Sequence, residues 1–222
     1  MNEPSSPPVF LIATRNAHKV GEIRAILGDE FRYLTLDDLL DAPKVVEDAD
    51  TFAGNATKKA VELARWLTSA SLAVRQPPID YVLADDSGLE VDALNGAPGV
   101  HSARFAALET GLPGNSADGD NNAKLLHLLK DVPAERRTAR FHCVIALAGV
   151  DLHTEGSSLR LFEGVCEGRI LFAPRGHGGF GYDPLFMPVG FEETFAELGE
   201  DVKNRLSHRA RALEQLKAAL IQ

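Results

Sequence analysis

Two adjacent carboxylates, Asp85 and Asp86, follow the apolar run Tyr81–Ala84 and precede Ser87-Gly88. Neighbouring side chains of an extended chain point to opposite faces. One carboxylate of the pair can therefore face a ligand while the other anchors the loop. The C-terminal end of such a strand is where α/β proteins bind ligands. A carboxylate there can hold Mg²⁺, which takes oxygen ligands and bridges phosphates. The plainer alternative is an acidic turn closed by Gly88. A second cluster, Thr14-Arg15-Asn16-Ala17-His18-Lys19, joins an apolar run to a helical pattern. Unpaired amides and the dipole at a helix start favour an anion. Thr14 and Asn16 add short polar side chains, Lys19 a point charge one turn in, and Arg15 a second cation. An ordinary helix cap would look the same.

Three more clusters carry chemistry. Glu47-Asp48-Ala49-Asp50 precedes a second helical pattern. It could supply another ligand for a hard metal, or simply complement the helix dipole. That helix carries Lys58 and Lys59, which a surface helix would leave solvated. In Gly178-Gly179-Phe180-Gly181-Tyr182-Asp183-Pro184, glycines let backbone approach a ligand. Phe180 and Tyr182 offer flat surfaces for a base, and Asp183 can accept hydrogen bonds from it. The alternative is a turn with core aromatics. Finally, Lys203 and Ser207-His208-Arg209 place cations at a helix start, where the dipole disfavours them. A nearby anion or polarised carbonyl would account for that.

Together the five clusters describe one pocket, with a phosphate cradle, metal carboxylates, a base platform and a basic rim. TRNAHK resembles the Thr/Ser-x-Asn-x-x-Lys signature of the inosine triphosphate pyrophosphatase family. ADDSGLEVDALNGAPGVHSARF, GGFGYDPLF and SHRARAL resemble its other blocks, in the family's order from Phe10 to Leu220. The resemblance implies Mg²⁺-dependent hydrolysis of non-standard purine nucleoside triphosphates (ITP, dITP, XTP) to monophosphate and pyrophosphate, which clears them from the nucleotide pool and keeps them out of DNA and RNA. It implies one or more Mg²⁺ per subunit. It assigns Asp86 as catalytic base and metal ligand, Glu47 as the acidic metal-associated residue, and Ser87 and Lys59 as substrate contacts. Asn16 and Lys19 would hold the triphosphate through side chains, with Arg15, Ala17 and His18 acting mainly through backbone. Phe180, Gly181, Tyr182, Asp183, Lys203, His208 and Arg209 would read and close over the base. It also implies a homodimer. Two departures stand out. The acidic block, commonly Glu-Glu-Thr-Gly, is Val46-Glu47-Asp48-Ala49, which leaves Glu47 and Asp48 both open as metal ligand. The loop Glu109–Gly119 is longer than usual. A nucleotide sensor that does not cleave would need no metal carboxylates. A pyrophosphatase for modified pyrimidine nucleotides is disfavoured by His208-Arg209.

The elements that must position these residues follow from pattern. Apolar runs predict strands at Val9–Ala13, Phe31–Leu34 and Tyr81–Ala84. Val20, Ile23, Ile26 and Leu27 form one helical face, ended by Gly28. Ala56, Ala60, Leu63, Ala64 and Leu67 form another, predicting a helix over Phe52–Thr68, with a break at Gln76-Pro77-Pro78. Gly88–Gly119 reads as irregular, and helical spacing resumes at Asn122–Leu129. Phe141, Cys143, Ile145 and Leu147 alternate as a strand. Leu159, Leu161 and Val165 suggest its hairpin partner across a turn near Gly149–Gly156. A last helix starts near Ser207. This order predicts an α/β protein with a mixed sheet. The resemblance refines it to an elongated two-lobed fold with a long central mixed sheet flanked by helices and a cleft between lobes. We expect a flexible tail over residues 1–8 and a single two-lobed domain over 9–222.

The 222 residues carry a formal charge of −9, with 45% apolar and 25% charged residues. That suits a folded globular chain and disfavours nonspecific binding to polymeric nucleic acid or membrane, which need a basic field. Cys143 and Cys166 read as core residues. No stretch reads as a membrane span or signal peptide, so the expected location is the cytoplasm.

Overall fold

The computed structural model describes residues 7–39, 41–69, 78–109, 114–150 and 158–220. The expected tail up to residue 6, the break at Gln76-Pro77, part of the long loop after Glu109 and most of the turn near Gly149–Gly156 lie outside them. Six strands form one sheet: β1 (Val9–Ile12), β2 (Arg32–Thr35), β3 (Tyr81–Val91), β4 (Thr138–Gly149), β5 (Leu159–Ile170) and β6 (Phe186–Pro188), in the order β2-β1-β3-β4-β5-β6. β1 is parallel to β2 and β3, and β5 is antiparallel to β6, so the sheet is mixed. The helices are α1 (Ala17–Leu27), α2 (Phe52–Leu67), α3 (Asp118–Leu128), α4 (Phe195–Leu198), α5 (Glu200–Leu206) and α6 (His208–Leu220). Among the described residues no helix is long and apolar enough to cross a membrane.

The chain divides into two compact units. One comprises Met1–Asp86, Val144–Phe162 and Leu213–Gln222; the other comprises Ser87–Cys143 and Glu163–Ala212. In the first, Phe10, Leu11 and Ile12 of β1 are fully buried, as a parallel strand covered on both faces requires. The Phe10 ring packs on Phe31 at 5.0 Å and stacks on Tyr81 at 5.3 Å. α2 buries the predicted stripe Ala56, Ala60, Leu63, Ala64 and Leu67. Its cap is Thr51, whose hydroxyl accepts from Gly54 N at 3.0 Å.

The second unit is built around Leu89, Val91, Leu125, Phe141, Tyr182, Phe186 and Phe195. Phe186 lies 4.7 Å from Phe141 and 5.2 Å from Phe195. Cys143 and Cys166 are buried free thiols, as expected.

Two sequence expectations need correction. The strand predicted to end at Ala84 runs on to Val91, so Asp85 and Asp86 lie inside β3 rather than in a turn. Gly88–Val91 belongs to this strand, and the rest of the supposedly irregular stretch holds short 3-10 turns before α3 starts at Asp118. Polar residues hid the strand because their partners come from distant chain. On β5 the predicted apolar face was the wrong one. Leu159 and Leu161 are exposed, whereas Phe162, Gly164, Cys166, Gly168 and Ile170 are buried. Glycine carries no hydrophobic signal, yet it lines the inner face because other backbone comes close. A Cβ on Gly164 would fall 2.0 Å from His208 O, and one on Gly168 would fall 2.5 Å from Met187 O.

The close approach at Gly164 has a measurable consequence. Gly164→Ala forces backbone apart and should cost about 3 kcal/mol or more, a drop in Tm of roughly 6–12 °C for a chain of this size. Gly21→Ala, in α1 with nothing within 4 Å of the new Cβ, should instead gain about 0.5–1 kcal/mol. Paired thermal melts check both, and equal effects would contradict the packing described.

Candidate active site

The first unit gathers charge around β3. β1 ends at Ile12, and the chain turns into α1 through Thr14–Asn16. Asn16 is the helix cap, its Oδ1 accepting from His18 N at 3.0 Å and Lys19 N at 3.3 Å. Asn16 N in turn donates to Thr14 Oγ1 at 3.1 Å. The Asn16 oxygen and the His18 and Lys19 amides are thus spent on one another, and an anion at this corner would meet the Ala17 amide and the Asn16 amide nitrogen. Arg15, Ala17 and His18 are exposed. Arg15 lies 3.9 Å from Asp37. Lys19 reaches the sheet and forms a short ion pair with Asp85, whose side chain is fully buried.

Asp86 faces a different neighbour. α2 supplies Lys59, only 8% exposed, so the solvated lysine expected from the sequence is instead a buried one. Its Nζ donates to Asp85 O at 2.6 Å, and lies 3.2 Å from Glu47 Oε2 and 4.0 Å from Asp86 Oδ1. Asp48 turns outward to Lys58 at 2.6 Å. Of the two acidic candidates, Glu47 is therefore the one that shares a lysine with Asp86. Asn55, one turn before Lys59 on α2, accepts from Ala49 N at 2.9 Å and donates to Ala49 O at 3.3 Å, fixing the acidic segment. Burial pushes the Asp86 carboxyl up to about 6, against the pull of Lys59 and Lys19, while Glu47 raises it further. Asp86 Oδ2 is buried with no hydrogen-bond partner.

This arrangement can bind and act on a phosphorylated ligand. A carboxylate near neutrality can take a proton, and lysines offset anionic charge. The orphaned Oδ2 and the Glu47 carboxylate also suit a hard divalent cation, which takes one or two carboxylates and fills its remaining positions with water and phosphate oxygens. Among the described residues no group of three or more His, Cys, Asp or Glu gathers as a protein-only metal cage.

The second unit holds the remaining candidates. In the glycine-rich loop, Asp183 is buried, binds Lys203 Nζ at 2.6 Å and accepts from Phe180 N at 2.8 Å. Lys203 also sits 4.4 Å from the centre of the Phe180 ring. The left-handed Gly179, φ +72, permits this, because a Cβ there would fall 2.1 Å from Asp183 Oδ2. Phe180 is partly exposed, whereas Tyr182 is not the flat platform expected. Its ring belongs to the core and its hydroxyl donates to Ser102 O at 2.9 Å. Arg209 is buried and donates to Ser87 Oγ at 2.8 Å, and the His208 ring stacks on Phe141 at 4.8 Å. Ser207 caps α6, its Oγ accepting from Ala210 N at 3.2 Å. Sequence reasoning missed Asn55 and Ser102 as supports. Asn55, on the buried face of α2 beside a run of alanines, carried a usable signal; Ser102 carried none.

A strand bearing a near-neutral buried carboxylate, lysines on the adjoining helices and an anion-binding helix start mark an α/β protein equipped for phosphate chemistry. The chain belongs to the Ham1 family, whose sequence model matches residues 10–219. The dITP/XTP pyrophosphatase of Opitutus terrae is 46% identical over 212 residues, covering 92% of this chain and 95% of that protein. That of Geobacter sulfurreducens is 48% identical over 209 residues, 94% of each. Among solved structures, the Staphylococcus aureus Ham1 protein matches with TM-score 0.78 at 33% identity, over 96% of this chain and 98% of that one. The Coxiella burnetii HAM1 protein matches with TM-score 0.77 at 36% identity, with the same coverage.

Two expected outcomes follow from the electrostatics. The folded value of Asp86 lies above its unfolded one, so its ionisation costs stability. That cost is absent below about pH 4, grows up to about pH 6 and is full above, reaching about 2–3 kcal/mol. Asp86→Asn should therefore stabilise the metal-free protein at pH 8 by up to that amount and gain nothing at pH 4, as denaturant titrations will show. Lys203→Met leaves the Asp183 carboxylate buried and uncompensated, and should cost about 3–5 kcal/mol. An unchanged urea midpoint would contradict this.

Proposed function

We propose that this chain hydrolyses non-standard purine nucleoside triphosphates, dITP, XTP and ITP, to the monophosphate and pyrophosphate, and so clears them from the pool used for DNA and RNA synthesis. The observation that carries the reading is Asp86, a buried carboxylate pushed up to about 6 with an orphaned oxygen beside Lys59 and Glu47. It stands in a chain whose relatives at 46% and 48% identity are named dITP/XTP pyrophosphatases.

The Ala17 backbone amide, the Asn16 side-chain amide nitrogen and the cationic Lys19 hold the triphosphate at the start of α1. Lys59 keeps Asp86 ionised enough to act at neutral pH. Asp86 orients a water and takes its proton as the water oxygen bonds to the α-phosphorus. The bridging P–O bond breaks and pyrophosphate leaves with the electron pair. Mg²⁺, one or more per subunit, held by Asp86 and Glu47 with phosphate oxygens, would neutralise charge on the phosphates and the leaving group. In the second unit Phe180, partly exposed, stacks the base. The loop backbone and the opening amides of α6, whose N–H groups point out of the helix start, donate to a 6-oxo group. Adenine presents an amino group there, and donor against donor is a mismatch. Arg209 and Ser87 hold each other in the same unit, and Ser87 directly follows the catalytic Asp86 in β3. The working form is a homodimer in the cytoplasm, as the resemblance to the family implies.

The test is pyrophosphate release from ITP, dITP, XTP, GTP and ATP, with and without Mg²⁺. A missed hydrogen bond at a buried polar site costs about 1–3 kcal/mol, roughly 5- to 150-fold. ITP and XTP should therefore lead, GTP should be lower and ATP lowest, with activity lost on chelation. Release of single phosphate instead of pyrophosphate would defeat the reading. ATP equal to ITP would spare the chemistry and defeat the specificity.

A further inference from the structure

The loop carrying Phe180 and Tyr182 is gripped at one residue from outside the loop. Gly181 is left-handed, φ +62. Its N–H donates to Asp118 Oδ2 at 2.7 Å, and its carbonyl accepts from Asn122 Nδ2 at 3.0 Å. Asp118 and Asn122 lie four residues apart on α3, which puts them on one face of the helix. α3 itself does not need this arrangement. An acid in a first turn favours the helix dipole wherever it points, and asparagine is a weak helix former. Asn122 Oδ1 is buried with no hydrogen-bond partner, so the side chain keeps its amide on Gly181 at a cost in stability. The loop residues on either side are anchored separately. Phe180 N is held by Asp183, and the Tyr182 hydroxyl by Ser102. Gly181 is thus the residue of this segment whose own N–H and C=O are both held by α3, while Phe180 O accepts from Asp183 N at 3.2 Å.

We propose that Asp118 and Asn122 are positioning residues for base selectivity: by holding the N–H and the C=O of Gly181, one in each of the two peptide units that flank its Cα, they fix the loop that reads the base. This rests on the function proposed above. Selection by hydrogen bonds fails when donors shift by about an ångström. Loosening the clamp should therefore degrade discrimination while leaving the chemistry at Asp86 intact.

The experiment measures kcat and KM for ITP, XTP and ATP in wild type, Asp118→Ala, Asn122→Asp and Asp118→Asn, with hydrogen exchange at the Gly181 amide. Asn122→Asp is isosteric and turns a donor into an acceptor facing the Gly181 carbonyl, so it tests the clamp even if Asp118→Ala folds poorly. Both should lower the ITP-over-ATP preference by about 10-fold, through a higher KM for ITP with kcat within about twofold, and should speed exchange at Gly181. Asp118→Asn keeps an acceptor oxygen and should stay near wild type. The Asp118→Ala/Asn122→Asp double variant, measured alongside, should lose less than the two single losses combined, because both contacts hold one residue. Unchanged preference in a folded Asn122→Asp, or a loss confined to kcat, overturns this proposal alone. A wild type that turns over ITP and ATP alike overturns the functional reading, and this proposal with it.

Discussion

Two carboxylates side by side inside a buried strand set the terms for the first unit. Asp85 and Asp86 are 2% and 6% exposed, and burying a charge is costly unless it is paired. The chain meets this requirement unequally. Lys19 pairs directly with Asp85, leaving that residue as an anchor. Lys59 is shared among the Asp85 carbonyl, Glu47 and Asp86, so Asp86 receives only part of a cation. Partial compensation is what leaves Asp86 near neutrality with an oxygen unsatisfied. A fully paired Asp86 would be a better structural residue and a poorer base.

The second unit uses full compensation. Asp183 has Lys203 and the Phe180 amide, and both charged side chains are almost completely buried. Such a pair adds little net stability against an apolar equivalent but penalises any arrangement that separates it. Here it determines how Phe180 is presented. The glycines serve the same end. Gly179 makes room for the Asp183 carboxylate, and Gly164 lets the start of α6 lie against β5. The loop of this unit is thus fixed by a buried ion pair and by close backbone packing.

Much of this was legible in the sequence. Helical periodicity located α1, α2 and α6, strand alternation located β4, and an apolar run located β1, because their partners are ordinary buried side chains. The grouping of Lys19, Asp86, Glu47 and Lys59 came from motif resemblance, since no local pattern shows that a lysine on an amphipathic helix points inward. The continuation of β3 through Asp85-Asp86-Ser87-Gly88 was illegible for the same reason: the lysines that neutralise it lie 66 and 26 residues away in sequence. The face of β5 was misjudged because glycine records a close approach rather than hydrophobicity. Tyr182 looked like a platform because an aromatic in a glycine-rich loop gives no sign of whether its ring is buried.

The central claim is that Asp86 is held near neutrality by burial that Lys59 and Lys19 only partly offset. Carbon-13 NMR of the aspartate carboxyl groups in the metal-free protein, titrated against pH and assigned by Asp86→Asn, tests it directly. The Asp86 resonance should titrate near 6 and move higher in Lys59→Met. A carboxyl titrating near the ordinary value of about 4, indifferent to Lys59, would contradict it.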